Sequence, residues 1–221
     1  MKKVFGVFFL LALSGAAFSS DNSYFTIGKV VVEQVNLPTE MAKAGDATYS
    51  ESMGEVIAVY DSIVALGEKI YPLIEKGRPV WKLEYAPISV LPSIDGKPAN
   101  PMEMSGWNIP QSRSYRVSYI NLYQMTVVDF AYTVHFTTGG SLDGKGLYLT
   151  GVQVVPETLH LAWGFSFSAT SKLVQIQNHG TKDDPVAGLN VMLSYTVDTV
   201  LKHTEENLVF FVRGDGSFKA L

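Results

Sequence analysis

The sequence contains no cysteine. Without cysteine the chain can form neither a disulfide framework nor a thiolate metal site, and it offers no cysteine for lipoprotein attachment. A chain of 221 residues is nevertheless long enough to bury a sizeable core. We therefore expect the packing of that core to hold the fold together.

Basic residues are also scarce. The chain has 17 Lys and Arg against 21 Asp and Glu, which gives a formal net charge of −4. A basic footprint for nucleic acid is absent, so we expect no nucleic-acid partner. No segment after the N-terminus is long and apolar enough for a transmembrane helix, and membrane contact is not favoured by the sequence.

The N-terminus has the order of a secretory signal peptide. Lys2 and Lys3 precede an uncharged apolar run from Val4 to Leu13, and small residues follow. The run is too short to cross a bilayer, which needs about 20 residues. We expect residues 1–19 to be cleaved after Ser19 and the protein to reach the periplasm, cell surface or exterior of a bacterium.

The segment after residue 50 carries the strongest helical pattern. We expect residues 20–50 to form an N-terminal arm and residues 51–221 a single α+β domain. Ser52 and Glu55 have the spacing of a capping box, and apolar residues follow at helical intervals up to Ile74. The pattern predicts one long helix over Ser52–Ile74, with a kink or break near Tyr71 caused by Pro72 and a stop at Gly77.

After Gly77 the pattern becomes that of β-strands. The Asp-Gly pairs at 143–144 and 215–216 predict tight hairpins between antiparallel strands. The expected fold is therefore one helix packed on a large antiparallel sheet or a partly closed β-sandwich. The predicted strands are Val80–Val90, Tyr115–Thr126, Val127–Thr137, Leu147–Val155, Thr158–Ser168, Leu173–Asn178, Leu189–Leu201 and Leu208–Arg213.

The strand around residues 129–137 has two different faces. An aromatic face alternates with a face of small polar residues and His135, which predicts that the aromatic face packs on the helix. The second face has few of the Lys and Glu residues that a solvated sheet usually carries. It is either an ordinary sheet face exposed to solvent or a contact surface for a protein partner or a second copy, formed by Thr133, His135 and His160.

Histidine offers one further chemical interpretation. His135 and His160 would share a face if their strands pair, and this is the one metal or catalytic pairing that the sequence suggests. There is no HExxH motif, nucleophile elbow, phosphate-binding glycine loop or carboxylate dyad. We expect two ordinary strand histidines, no catalytic or metal residue and no cofactor, and an enzyme is the less favoured class.

The longest irregular stretch runs from Leu91 to Ser114. Its four prolines resist regular structure, while Met102, Met104 and Trp107 are apolar and need a place to pack. Either Trp107 pins the loop to its own domain, or the Met and Trp side chains form an adaptable contact for a partner.

Four classes of function follow from these patterns. The first is a non-enzymatic binding or assembly role in the bacterial envelope, through the charge-poor sheet face and the loop. The second is a carrier that holds a lipid or another apolar ligand between the helix and a curved sheet. The third is an enzyme that uses His135 and His160. The fourth is an outer-membrane β-barrel, because alternating segments of about 10 residues are its signature, although a long apolar helix argues against it.

Overall fold

The computed structural model of the protein describes residues 22–36, 54–80 and 86–221. The predicted signal peptide lies outside the described residues, as do Ser52 and about half of the predicted arm. The described residues form fourteen strands and two short 3-10 turns, Asn22–Tyr24 and Pro101–Glu103. The strands are β1 Ile27–Val35, β2 Glu55–Tyr60, β3 Ile63–Gly67, β4 Ile70–Glu75, β5 Arg78–Pro79, β6 Ile88–Ile94, β7 Lys97–Pro98, β8 Gln111–Asn121, β9 Thr126–Leu142, β10 Lys145–Leu161, β11 Ser166–Asn178, β12 Ala187–Asp198, β13 His203–Arg213 and β14 Phe218–Ala220.

The strands form two antiparallel sheets. The larger sheet has the order β1-β8-β9-β10-β6-β3-β2, with β7 beside β6, and the smaller sheet has the order β14-β13-β12-β11-β4-β5. The chain passes from the larger to the smaller sheet twice, between β3 and β4 and between β10 and β11. β1 comes from the predicted arm and pairs with β8 from Ile27 to Val35.

Tight turns set the register of the hairpins. Asp143 and Gly144 have φ angles of 52° and 73° and join β9 to β10, as the Asp-Gly pair predicts. Gly216 has a φ of 91° in the turn between β13 and β14, so the second predicted hairpin is also confirmed. Both turns need backbone conformations that Asp and Gly tolerate better than other residues.

Aromatic side chains fill the space between the two sheets. Phe130 of β9 lies 5.1 Å from Phe167 of β11, measured between ring centroids, and Tyr132 lies 6.0 Å from Phe210 of β13. Phe136 stacks on Phe218 of β14 at 5.2 Å. The aromatic face of β9 thus points into the core, where its partner is the smaller sheet. The expected packing against a helix is wrong.

The core also contains ionisable groups. Burial raises the pKa values of Tyr119, Tyr132 and Tyr195 above the ordinary tyrosine value. Glu206 lies directly opposite the buried Tyr195 in the β12–β13 pair, so both side chains are on the inner face of the smaller sheet. Burial raises the pKa of Glu206 above 4.5, which means that the core disfavours its charged form.

The α+β prediction is wrong, because residues 55–75 form three strands instead of one helix. Strands make up 69% of the structure, and the described residues contain no helix of seven or more residues. Asp61, with a φ of 51°, lies in the turn between β2 and β3. Pro72 lies within β4 opposite Thr170 of β11, so it causes no helix kink. Gly77 ends no helix, and with Lys76 it forms the turn from β4 to β5.

The physical reason is that β3 is buried on both faces. Every residue from Ile63 to Gly67 is buried, and four of them expose 2% or less of their surface. A strand buried on both sides is a continuous apolar run, and periodicity alone cannot distinguish it from a buried helix. The β-branched residues of this segment, including Val56, Ile63 and Val64, favour the strand.

Candidate functional site

Three connections lie at the same end of the two-sheet structure. They are residues 122–125 between β8 and β9, residues 162–165 between β10 and β11, and residues 199–202 between β12 and β13. Leu161 pairs with Val128, which places the end of β10 beside the start of β9. Ser166 pairs with Asp198, which places the start of β11 beside the end of β12. We call the surface formed by these three connections the apolar end.

Large apolar side chains point outward from all three connections. Their exposed fractions range from 48% for Leu122 and Tyr123 to 83% for Trp163. Exposed apolar residues grouped in this way usually mark a surface that interacts with a protein or a membrane, whereas single exposed residues need no explanation. The six side chains are Leu122, Tyr123, Met125, Trp163, Val200 and Leu201.

The first connection is shaped by Asn121, which is fully buried. Its Nδ2 donates to the carbonyl of Tyr24 over 3.0 Å, and its Oδ1 accepts the N–H of Met125 over 3.0 Å. Gln124 takes a φ of 62° to close the turn. The buried side chain of Asn121 therefore supplies hydrogen-bond partners for the backbone around the turn. Leu122, Tyr123 and Met125 are left facing outward.

The second connection holds Trp163 away from the core. Gly164 has a φ of 80°, and a Cβ atom there would lie 2.6 Å from Cε1 of Phe25. The hydroxyl of Tyr24 donates to the carbonyl of Trp163 over 3.1 Å. The rings of Phe25 and Phe165 lie 5.9 Å apart beside it, with Phe25 6.4 Å from Trp163. Trp163 is thus supported by packed rings, although 83% of its own surface is exposed.

The third connection is closed by Thr199. Its Oγ1 accepts the N–H groups of Leu201 and Lys202, over 3.2 Å and 2.9 Å. Asp198 and His203 pair through their side chains where the two strands begin to separate. Val200 and Leu201 are at the tip of this turn and are exposed by 77% and 52%.

The apolar end carries very little charge. Within residues 122–125, 162–165 and 199–202, Lys202 is the one charged residue and no carboxylate is present. An open cleft of about 370 Å³ borders this end, lined by Thr126, Val127, Asp129, His160, Leu161 and Ala162. Asp129 in this cleft is paired with Arg116, whose Nε lies 3.3 Å from Oδ1.

His135 and His160 lie on the same face of the larger sheet but not together. His160 is opposite Asp129, whereas His135 is opposite Gln153. Six residues of β9 separate these two pairing positions, which corresponds to about 20 Å along a strand. The structure therefore does not bring the two imidazoles into one metal or catalytic site.

The rest of the predicted contact face is more covered than the sequence indicates. Thr133 is 4% exposed, and its hydroxyl lies 2.9 Å from that of Ser114. His135 Nδ1 lies 2.8 Å from the hydroxyl of Ser112. Burial lowers the pKa of His135 below 6.5 despite the opposing charge of Glu157, which favours the neutral imidazole. The neighbouring strand adds Arg116 opposite Ala131, so the face carries more charge than β9 and β10 alone indicate.

The Met and Trp side chains of the long loop are divided between two environments. A Cβ atom on Gly140 would lie 2.3 Å from the Trp107 ring, which shows how closely the indole covers β9. Trp107 Nε1 donates to the carbonyl of Pro101 over 3.1 Å. Met104 is 7% exposed and belongs to the core, whereas Met102 is 86% exposed. Trp107 and Met104 attach the loop to its own domain, and Met102 alone faces outward.

The part of the chain that the structure describes contains neither a cluster of possible metal ligands nor a helix long enough to span a membrane. Residues 22–36, 54–80 and 86–221 contain no group of three or more His, Asp or Glu side chains placed to hold a metal ion. The same residues contain no helix that could cross a membrane.

The apolar end is hard to recognise from the sequence because its residues resemble strand residues. Trp163 falls within the predicted strand Thr158–Ser168, and Leu201 ends another predicted strand. The apolar residues at 122 and 125 lie within a third, Tyr115–Thr126. One signal was available, since Gly164 interrupts the alternation, and an isolated glycine within a strand pattern indicates a break or a bulge.

Comparison with known proteins adds no relative. No protein-family model, no curated protein and no solved structure matches the chain.

Proposed function

We propose that the protein is an exported, non-enzymatic binding module that attaches to the bacterial cell envelope through the apolar end. The observation that carries this proposal is the set of six exposed apolar side chains, which come from three connections distant in sequence and point outward at one place. Hydrogen bonds within the connections and the rings beneath Trp163 hold these side chains outward. Because these apolar side chains are already held in place, little conformational entropy is lost when the surface binds a partner.

The charge-poor sheet face remains a second proposal for a protein partner or a second copy of the chain. Ala131 and Thr133 are buried, so a partner on this face would meet Arg116, His135 and the cleft at His160 instead. A deep contact there would have to displace the Arg116–Asp129 pair. The apolar end requires no such rearrangement, and we therefore favour it.

The carrier hypothesis has less support. It requires a helix above the sheet, and the described residues form strands where that helix was expected. The space between the sheets is occupied by aromatic rings with centroids about 5–6 Å apart, such as Phe130 against Phe167. An apolar ligand would have to displace these rings, and protein interiors are packed as densely as crystals of small organic molecules.

Cell fractionation tests the proposed attachment. The full chain and the variant Trp163→Ser, Val200→Ser, Leu201→Ser are expressed in a bacterial host, and the ratio of envelope-bound to soluble protein is measured. We expect the ratio to fall by about tenfold or more in the variant, because three exposed apolar contacts are lost. The matched control is Met102→Ser, Ile109→Ser, which removes two side chains that are each 86% exposed elsewhere.

Equal ratios for the wild type and both variants would reject the attachment. The same cultures test export, since the intact mass of the exported protein shows whether it begins at Ser20. A mature protein that retains Phe5 to Leu13 would contradict cleavage.

A further inference from the structure

We infer that the partner of the apolar end is the surface of a lipid bilayer with anionic headgroups. This inference rests on the proposed function and specifies its target. It also departs from the sequence, whose composition does not favour membrane contact. Three features of the described residues support a bilayer over a protein partner: the kinds of side chain, the state of the backbone and the charge.

The side chains are those found at the boundary between a bilayer and water. Trp163 and Tyr123 combine a large apolar ring with a polar N–H or O–H group, and Trp and Tyr are enriched at this boundary for that reason. Leu122, Val200 and Leu201 are aliphatic and can enter the edge of the acyl chains. They belong to separate turns that project from the ends of strands, and separate projecting side chains fit a fluid surface without needing a shaped pocket.

Most of the backbone in these turns is already hydrogen-bonded within the protein. Leu122, Gln124 and Phe165 donate to backbone carbonyls. Met125 donates to Asn121, and Leu201 and Lys202 donate to Thr199. Because a bilayer offers few partners for a free N–H group, this internal bonding lowers the cost of placing the turns at its boundary.

The charge at the apolar end suits an anionic surface. Lys202 is exposed at its edge, and the three connections contain no carboxylate. The carboxylate that flanks the third connection, that of Asp198, is paired with His203. The remainder of the chain is acidic, with a formal net charge of −4 overall. An anionic bilayer would therefore repel most of the molecule and attract Lys202, which orients the apolar end toward the lipid.

Vesicle binding by the purified mature protein tests the inference. The protein is sedimented with vesicles of phosphatidylethanolamine and phosphatidylglycerol, and separately with vesicles of phosphatidylcholine. We expect binding to the anionic vesicles and a loss of about tenfold or more in Trp163→Ser, Val200→Ser, Leu201→Ser. Lys202→Glu should weaken anionic binding by about tenfold at low salt and leave phosphatidylcholine binding unchanged. Met102→Ser, Ile109→Ser should bind like the wild type.

Each outcome separates the inference from the proposed function. If the folded wild type binds neither vesicle but its envelope attachment still depends on Trp163, Val200 and Leu201, the lipid inference is wrong and the partner is a protein. If binding to vesicles is equal for the wild type and the apolar-end variant, the inference is also wrong. Unchanged circular dichroism and melting temperature confirm that each variant is folded.

Discussion

The two ends of the structure are built from the same kind of short connection between antiparallel strands, yet they present opposite chemistry. The apolar end exposes Trp163, Val200 and Leu201 and has one charge in its three connections. At the other end, Gly139 donates to Gly214 and Leu147 to Pro185, which brings the β9–β10, β11–β12 and β13–β14 connections together. We call this second surface the charged end. Its connections contain Asp143, Lys182, Asp183, Asp184 and Asp215.

The charged end has the residue composition expected of turns that are exposed to solvent. Its turns use Asp, Gly and Asn, which tolerate positive φ and accept local hydrogen bonds. Asn178, for example, accepts the N–H groups of Gly180 and Val186 over 2.9 Å and 3.0 Å. The apolar end uses comparable bonds from Asn121 and Thr199 but exposes apolar side chains. Turn formation therefore does not account for its composition, whereas the binding role proposed above would.

The largest effect is expected from the two turn asparagines. Asn121→Ala should lower the free energy of unfolding by about 2–4 kcal/mol, because it removes a fully buried amide that bonds both the carbonyl of Tyr24 and the N–H of Met125. Asn178→Ala should cost only about 1 kcal/mol, since that residue is partly exposed and water can replace it. Urea unfolding of both variants measures the difference. An equal loss in both would show that the two ends are held equally firmly.

The next largest effect concerns two glycines of positive φ. Gly144→Ala at the charged end should lower the free energy of unfolding by about 1 kcal/mol. The positive φ is unfavourable for alanine, but the added Cβ would have no neighbouring atom within 4 Å. Gly164→Ala should cost about 2–3 kcal/mol, because its Cβ also collides with Phe25 at 2.6 Å. The displaced Phe25 should in turn release Trp163. Thermal unfolding gives the costs, and a steady tryptophan fluorescence in Gly164→Ala would contradict the release.

Two carboxyl groups should respond to pH in opposite directions. Glu206 has a raised pKa because of burial, so its contribution to stability is greatest at low pH and falls as the pH rises through 4.5 and above. Burial raises the pKa of Asp215, but hydrogen bonds from Ser217 and the charge of Arg213 outweigh this effect and lower it below 3.8. Asp215 therefore stabilises the fold above the ordinary aspartate pKa, and its contribution is lost as the pH falls.

Melting curves from acidic to neutral pH test both signs. Glu206→Gln should be more stable than the wild type at pH 7, with a difference that shrinks toward acidic pH. Asp215→Asn should be slightly less stable than the wild type at pH 7. A wild-type advantage over Glu206→Gln at neutral pH would show that the core stabilises the charged carboxylate.

The smallest effect on stability is expected at the exposed side chains of the apolar end. Trp163→Ser should change the free energy of unfolding by less than about 0.5 kcal/mol, because 83% of the side chain is exposed. The exposed Met102 provides the comparison, and Met102→Ser should change stability by a similarly small amount. A large loss in Trp163→Ser alone would mean that the indole is a structural element, which would weaken the case for a binding role.

Some features of the fold could be predicted from the sequence because they depend on neighbouring residues. The hairpin at Asp143–Gly144 follows from turn chemistry, and the inward face of β9 follows from strict alternation from Phe130 to Phe136. The helix over residues 52–74 could not be excluded locally. Whether Ile63 and Val64 lie in a helix or in a strand buried on both faces depends on the elements that cover them. The spacing of apolar residues along the chain does not contain that information.

The residues of the candidate site also include some features that the sequence shows and others that it does not. Trp107 and the charge-poor character of β9 could be read from the sequence, but the sequence could not show that Arg116 from β8 lies opposite Ala131. It also could not show that His135 and His160 are separated by about 20 Å of strand. Both facts depend on the pairing register of strands that are distant in the chain.

By itself, the sequence determined that the chain is rich in β-strands and places no more than one charge in residues 122–125, 162–165 and 199–202. Only the tertiary structure decided that these three apolar segments are turns and that they meet at one end. Along the chain they extend the strands beside them, and Gly164 is the one residue in them whose type indicates a reversal. The reversals depend on contacts with residues outside the segments: Asn121 with Met125, Phe25 with Gly164, and Ser166 with Asp198.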